Sequence, residues 1–343
     1  MITYVSRRLG LLVPLLVGIT FITFMVSRAI PTDPVVAALG QQAADHPKIV
    51  AFYRAQWGLN KPLPIQYFIY LKHLLHGDLG RSIYTHRPVA EDLLSYMPAT
   101  IELAIFTILF SVLISVPLGV LAAIKRGTVI DMLVRLLTLI GVAMPIFWLA
   151  LAALELFYFR LGIVPGPGRL SPLLSPPPRI TGLFTIDSLL AGQWSTFGNA
   201  LAHLILPSLI LATWTAGALT RMTRTSMLAV LPQGYLNTAR SKGASELYTI
   251  VRHALPNALI PVVTIVGLVF GDLLTGVILI ETLFSWPGIG RYAYEAAVHA
   301  DFPAIIGITL VFGVSYSVIN LGVDVVYAGL DPRIRRAMAL GRR

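Results

Sequence analysis

Residues 103–124 read LAIFTILFSVLISVPLGVLAAI, a run without a single Asp, Glu, Lys or Arg. A helix of about 20 apolar residues is long enough to cross the hydrocarbon core of a bilayer. Five more runs share this property, at residues 9–27, 136–154, 201–220, 253–271 with a continuation to 280, and 302–323. The sequence therefore predicts an all-α polytopic membrane protein with six transmembrane helices.

The composition favours the same class. Hydrophobic residues make up 56% of the 343 residues and charged residues only 12%, against about 25% charged residues in a soluble domain. The net charge of +10 could indicate nucleic-acid binding, but basic residues in a membrane protein usually mark its cytoplasmic edges. The chain has no cysteine, so a disulfide framework, a thiolate zinc site and a cysteine nucleophile are excluded. Lipid is the expected partner, and nucleic acid is not.

The distribution of charge predicts the orientation in the membrane. Alternate loops at residues 1–8, 125–135, 221–253 and 324–343 hold fifteen of the 26 basic residues but only four of the 16 acidic residues. The positive-inside rule places these loops, and with them both termini, in the cytoplasm. The predicted segments are a cytoplasmic N-terminus with the first transmembrane helix (1–30), an external elaboration (31–99), a five-helix core (100–330) with an external loop (160–200) and a cytoplasmic loop (221–256), and a cytoplasmic tail (331–343).

The cytoplasmic loop has the pattern of a helix, a tight turn and a second helix. Residues 235–242 favour a helix, Gly243 permits a tight turn, and Ser245 can cap a second helix that reaches His253. Small side chains at Ala239 and Gly243 would let another protein approach the backbone closely. The spacing alone is equally compatible with an amphipathic loop lying on the membrane surface.

Taken together, these residues resemble the inner-membrane permeases of ABC importers of the dipeptide, oligopeptide and nickel type, and most of all dipeptide permease B-like subunits. The cytoplasmic signature of this family is matched at Ala239, Gly243, Leu255 and Pro256, whereas Asn237, Thr238 and His253 differ from its general consensus. The similarity extends over almost the whole chain. Other family-like segments are residues 7–9, 31–34, 77–80, 98–103, 144–148, 221–224, 253–258, 281–290 and 331–333.

The resemblance implies a type I ABC importer permease fold in a bacterial inner membrane. It also implies that the chain forms half of a transmembrane pathway that works by alternating access. The implied partners are a second homologous permease, two cytoplasmic ATP-binding subunits and an external substrate-binding protein. By resemblance, the residues that couple the chain to the ATPase are Tyr235, Asn237, Thr238, Ala239, Arg240, Lys242, Gly243, Leu255 and Pro256.

No phosphate-binding loop of the form G-x-x-x-x-G-K-[ST] occurs in the sequence. The chain is therefore expected to be a transport subunit without an ATPase site of its own. No cofactor is expected in it, because ATP and Mg²⁺ would bind to the partner ATPase subunits.

Four polar residues within or beside the predicted spans are candidates for the transport pathway, because ionisable groups in a membrane are costly and usually functional. These are Asp272, Glu281, Asn320 and Asp324. The alternative for each is a polar contact between helices, and for Glu281 a structural bond to the turn at residues 285–290. Two further carboxylates at span ends, Glu102 and Glu155, are expected to be solvated.

His73 and His76 have the spacing of a metal-binding pair, but without a third ligand nearby they are expected to be surface residues, and no metal site is predicted. The resemblance implies di- or oligopeptides as the cargo, and nickel, glutathione and antimicrobial peptides are the alternatives for the same machinery. A polytopic membrane enzyme is the alternative from another class, although its usual catalytic motifs are absent from the sequence. A self-contained carrier would usually show internal repeats.

Overall fold

The computed structural model describes residues 2–29, 35, 46–56 and 58–330. Within these residues all regular secondary structure is helical, apart from one isolated bridge between Arg81 and Pro88. The all-α fold predicted from the sequence is therefore confirmed for this part of the chain. The family-like segments at residues 31–34 and 331–333 and the predicted tail lie outside the described residues.

The helices are α1 (Ile2–Ala29), α2 (Pro47–Gln56), α3 (Leu63–Leu75), α4 (Val89–Ile124), α5 (Val129–Ala143), α6 (Ile146–Ala153), α7 (Phe184–Leu190), α8 (Trp194–Val230), α9 (Gly234–Ser241), α10 (Glu246–Tyr248), α11 (Leu255–Gly276), α12 (Ile278–Leu283), α13 (Ile289–Val298) and α14 (Phe302–Leu330). Short π-helical turns continue two of them, at Leu154–Arg160 after α6 and at Thr249–Ala254 after α10.

Four stretches of the described chain are long and apolar enough to cross a membrane: Val89–Ile124, Trp194–Val230, Glu246–Leu274 and Phe302–Val323. A fifth span arises if the bent pair α5 and α6 is counted as one. In α1, at the first predicted span, the apolar stretch Val13–Val26 is shorter than each of these four. By length and composition the structure accounts for four or five of the six predicted spans.

The third predicted span is broken where α5 meets α6. Pro145 lacks a backbone N–H and disfavours helical backbone at the residue before it. Met144 accordingly adopts extended backbone, with φ −74° and ψ 132°. The two helices form an angle of 97°, so that one apolar run becomes two helices joined at a bend.

The centre of the fold is the pair α4 and α8, which approach closely because small residues face each other. A Cβ at Gly119 of α4 would lie 2.6 Å from the Thr223 Cβ and 2.8 Å from the Thr220 carbonyl oxygen of α8. Further along the pair, Ser111 Oγ lies 2.5 Å from Thr215 Oγ1. Buried apolar residues surround the external half of this pair, among them Leu103, Leu204, Ile210, Leu273, Ile280 and Trp286.

The loop between α6 and α8, predicted to be external, is folded onto the core and contains α7. Asp187 of α7 accepts hydrogen bonds from the backbone N–H groups of Ile180, Thr181 and Gly182 at 3.2, 2.7 and 2.8 Å. The Gly168 N–H donates to the Phe284 carbonyl at 2.8 Å. These bonds fix a loop that its proline content alone would leave irregular.

The prediction that Glu102 is a solvated carboxylate is wrong. Its side chain is only 2% exposed and accepts a hydrogen bond from Arg169 Nη2 at 2.5 Å. The backbone N–H and the hydroxyl of Thr185 donate to its other oxygen at 2.8 and 2.7 Å. Burial lowers the pKa of the Arg169 guanidinium, and the adjacent Glu102 partly offsets that effect. Glu155, by contrast, is 56% exposed beside Arg160, as predicted.

Candidate coupling and transport sites

The cytoplasmic loop forms a short helix that one leucine anchors to the rest of the chain. α9 begins and ends one residue earlier than the predicted helix. Leu236 is fully buried and packs with Met227, Ala254 and Ala258 near the end of α8 and the start of α11. Because its anchor points inward, α9 presents its opposite face to the cytoplasmic side of the proposed topology.

The turn after α9 has the geometry that its sequence predicts. Gly243 has φ +85°, a left-handed conformation that glycine adopts without steric cost. Its N–H donates to the Arg240 carbonyl at 2.9 Å. Ser245 then caps the next helix, since its Oγ accepts a hydrogen bond from the Tyr248 N–H at 3.3 Å.

Most of the predicted coupling residues lie on the outer surface of this loop. The side chains of Arg240 and Ala239 are partly buried, and so is that of Leu255 at the start of α11. The exposed members are Tyr235, Asn237, Thr238, Lys242, Gly243 and Pro256.

Arg240 joins α9 to α10 through a bidentate ion pair. Its Nε and Nη2 donate to the two carboxylate oxygens of Glu246 at 2.9 and 3.0 Å, and its Nη1 donates to Asn237 Oδ1 at 3.0 Å. The hydrogen bonds to Glu246 raise the pKa of Arg240. Sequence reasoning missed Glu246, although its opposite charge across a predicted turn was the available signal.

The hydroxyl of Tyr235 joins the start of α9 to the start of α11. It donates to the His253 carbonyl at 3.3 Å and accepts a hydrogen bond from Asn257 Nδ2 at 3.0 Å. Asn257 was not predicted as part of this loop. Through these bonds a force on α9 would reach α11 directly.

A second ion pair lies in the C-terminal part of α8. Arg224 donates to both carboxylate oxygens of Asp131, at the start of α5, with distances of 2.8 and 2.9 Å. The Gly127 N–H donates to the same carboxylate at 3.1 Å. The helix that leads into α9 is thereby fixed to the turn between α4 and α5.

Among the four pathway candidates, Asp272 lines a cavity. This cavity has a volume of about 420 Å³ and lies at the bend between α5 and α6. The side chain of Asp272 is exposed, whereas that of the neighbouring Leu273 is buried. The other lining residues are Val142, Ala143, Met144, Pro145, Ile146, Leu211 and Trp214.

Glu281 occupies a different, fully buried position. It accepts hydrogen bonds from the Thr100 hydroxyl at 2.6 Å and from the Arg291 N–H at 3.0 Å. A Cβ at Gly288 or at Gly290 would collide with its carboxylate. Glu281 therefore holds the turn at residues 285–290, which is the structural alternative that the sequence left open.

The remaining candidates do not join these two residues in one site. Asn320 is half-buried on α14, and the side chain of Asp324 on the same helix falls outside the described part of the chain. His73 Nδ1 lies 3.2 Å from Asp78 Oδ2, and His76 Nδ1 lies 2.8 Å from the Lys72 carbonyl oxygen. Of the predicted pathway residues whose side chains the structure describes, Asp272 alone lines the cavity.

Comparison with known proteins assigns the chain to a family. The model of the family "Binding-protein-dependent transport system inner membrane component" matches residues 115–336, and the model of its N-terminal part matches residues 1–104. The apolar helices are those of a multi-pass membrane protein, and the family match identifies it as a permease. The chain belongs to the family of binding-protein-dependent ABC transport permeases of the bacterial inner membrane, and it is a transport subunit, not an enzyme.

Curated relatives match over nearly their full length. The probable D,D-dipeptide transport system permease protein DdpB of Escherichia coli K12 is 45% identical and covers 95% of both chains. The dipeptide transport system permease protein DppB of Alkalihalophilus pseudofirmus is 44% identical over 98% of this chain and 100% of its own. The glutathione transport system permease protein GsiC of Salmonella paratyphi A is 36% identical over 98% of this chain and 99% of its own.

Proposed function

We propose that this chain forms half of the transmembrane pathway of an ATP-driven importer of di- or oligopeptides. The observation that carries the proposal is the 45% identity, over 95% of both chains, to a permease named for D,D-dipeptide transport. The relative named for glutathione supports a second candidate cargo, itself a small peptide. Six spans, both termini in the cytoplasm and a type I ABC importer fold belong to the same proposal.

The proposed assembly contains this chain, a second homologous permease, two ATP-binding subunits that bind ATP and Mg²⁺, and an external substrate-binding protein. The family description, which names a dependence on a binding protein, supports the last of these. ATP-driven closure of the ATPase subunits would switch the permease pair between its two access states.

In this proposal α9 is the coupling helix, and its exposed residues with Gly243 contact an ATPase subunit. The buried anchor at Leu236 and the ion pair between Arg240 and Glu246 support this role, because they make the loop a rigid unit. A rigid loop transmits a displacement to α8 and α11 that a flexible loop would absorb.

The test uses two glycines that share one backbone geometry. Gly243 has φ +85° and Gly192 has φ +67°, and at both positions a Cβ would meet no atom within 4 Å. Gly243→Glu and Gly192→Glu therefore impose similar backbone strain, but only the first alters the proposed docking surface. The tagged complex is purified in mild detergent, its subunits are identified by mass, and its ATPase activity is measured with the binding protein and a dipeptide.

We expect the wild type and Gly192→Glu to retain a second permease and two ATPase chains, whereas Gly243→Glu loses the ATPase chains or their stimulated activity. Equal losses in both variants would show that backbone strain, not docking, is responsible. A wild-type chain that purifies alone and transports without an ATPase would contradict the proposed function.

A further inference from the structure

The cavity at the bend between α5 and α6 combines two features that lipid does not tolerate. The first is the extended backbone at Met144, which interrupts a predicted span. The second is the carboxylate of Asp272 on α11. Non-helical backbone at membrane depth is tolerated only where protein buries it or where it lines an aqueous cavity, and a carboxylate in a span obeys a similar restriction.

The depth of the cavity follows from the length of α5. That helix runs from Val129 to Ala143, which corresponds to roughly 20 Å at 1.5 Å per residue. In the proposed topology α5 begins at the cytoplasmic edge, and the hydrocarbon core is about 30 Å thick. In the proposed topology the cavity therefore lies in the middle part of the membrane.

The lining of the cavity defines the chemistry of its ligand. Within the described residues that line it, Asp272 is the one charged side chain, and the rest are apolar apart from the indole N–H of Trp214. Trp214 is 47% exposed. A carboxylate and an aromatic face attract an organic cation by charge and by cation–π interaction, and apolar walls fit an uncharged body attached to it.

We infer that Asp272 and Trp214 form a binding site in the transport pathway for the ammonium group of a peptide. The inference rests on the proposed function, which supplies a cargo with a free amino terminus. Asp272 accepts a charge-assisted hydrogen bond from the ammonium group, Trp214 contacts the same end of the peptide, and the walls formed by residues 142–146 contact its side chains. The site holds the peptide after the external binding protein has released it.

A metal ion fits this lining less well than an ammonium group does. Divalent cations need several oxygen or nitrogen ligands, and the described lining of the cavity offers one carboxylate among mostly apolar side chains. In the described part of the chain, no three His, Asp or Glu side chains gather into a metal-binding group.

The experiment uses the complete complex in proteoliposomes, with its binding protein saturated with radiolabelled Ala-Ala. Uptake and ATP hydrolysis are measured together for the wild type, Asp272→Asn, Asp272→Glu, Trp214→Ala and Trp214→Phe. Glu155→Gln is the control, because that carboxylate is exposed and paired with Arg160 away from the cavity lining. Assembly is checked by the recovery of all subunits.

We expect Asp272→Asn to lower uptake per ATP hydrolysed by about tenfold, as when a charge-assisted hydrogen bond becomes a neutral one. Asp272→Glu keeps the charge and stays within about twofold of the wild type. Trp214→Ala lowers the same ratio by about threefold, and Trp214→Phe restores most of it. Glu155→Gln behaves like the wild type.

Wild-type uptake per ATP in Asp272→Asn would overturn the site. The site would also be overturned if uptake and ATP hydrolysis fell together in that variant and Asp272→Glu gave no rescue, because a structural contact would then explain the loss. A wild-type complex that hydrolyses ATP but takes up neither dipeptides nor glutathione fails at an earlier step. That result would reject peptides as the cargo, and with them the proposed binding site for a peptide ammonium group.

Discussion

Arg224 holds Asp131 by two parallel hydrogen bonds, from Nε to Oδ1 at 2.8 Å and from Nη2 to Oδ2 at 2.9 Å. The Asp131 side chain is 1% exposed and that of Arg224 is 21% exposed. This pair joins the C-terminal part of α8, shortly before the proposed coupling loop, to the first turn of α5. Since α5 leads to the bend at Met144, the pair connects the proposed coupling loop to the helix that borders the cavity.

We expect Asp131→Asn to lower the unfolding temperature of the purified complex and to lower its stimulated ATPase activity. The substitution leaves the Arg224 guanidinium facing a neutral amide in a largely buried place. Arg224→Gln should have a similar effect, and the double variant should be less destabilised than the sum of the two, because both remove one interaction. Thermal unfolding in detergent measures the unfolding temperatures of the two single variants and of the double variant.

The exposed pair between Arg160 and Glu155 is the matched control for this prediction. Their side chains are 71% and 56% exposed, so the pair contributes roughly 0–1 kcal/mol. Arg160→Gln should leave the unfolding temperature nearly unchanged. Additive effects of Asp131→Asn and Arg224→Gln would contradict a direct coupling between them.

The close approach of α4 and α8 at Gly119 gives a second prediction. Gly119→Ala places a Cβ 2.8 Å from the Thr220 carbonyl oxygen, which belongs to the backbone and cannot rotate away. The helices must separate, at a cost of about 1–3 kcal/mol. Thermal unfolding should show the loss, and Gly119→Val should cost more.

Gly198 on α8 provides the opposite case. A Cβ there meets no atom within 4 Å, and the residue lies inside the helix. Gly198→Ala should therefore stabilise the protein by about 0.4–1 kcal/mol, because alanine restricts the unfolded chain. A loss of stability at Gly198 equal to that at Gly119 would mean that helix separation is not the cause.

The local features of this chain were predictable from its sequence. Gly243 lacks a Cβ and so favours the backbone of a helix end, and the hydroxyl of Ser245 can cap a helix start, so the turn between α9 and α10 could be placed to within one residue. The apolar runs predicted spanning helices for the same reason. Each inference depends on residues that are neighbours in sequence.

The features that depend on distant residues were not predictable. Nothing in the sequence pairs Glu102 with Arg169, which lies 67 residues away, or Arg224 with Asp131, which lies 93 residues away. Burial of these carboxylates is decided by the packing of whole helices. The cavity at Asp272 has the same origin, because the angle at Met144 depends on how α5 and α6 pack against their neighbours.

Glu281 gives a third prediction, because it accepts two hydrogen bonds in a fully buried place. Glu281→Ala leaves the Thr100 hydroxyl and the Arg291 N–H without this acceptor, at about 1–3 kcal/mol for each donor. Glu281→Gln keeps one carbonyl acceptor and should lose less stability. Thermal unfolding ranks the two variants, and a smaller loss for the alanine variant would contradict the structural role.

Glu102 and Arg169 give the last prediction, which compares the loss of one member of the ion pair with the loss of both. Removing one partner leaves a buried charge uncompensated, so Glu102→Gln and Arg169→Met should each destabilise the protein by about 3–5 kcal/mol. Replacing both partners, as in Glu102→Gln with Arg169→Met, removes both charges and should recover part of that loss. The measurement is a double-mutant cycle on thermal unfolding of the complex. If the double variant lost as much stability as the two single variants together, the two side chains would stabilise this loop independently.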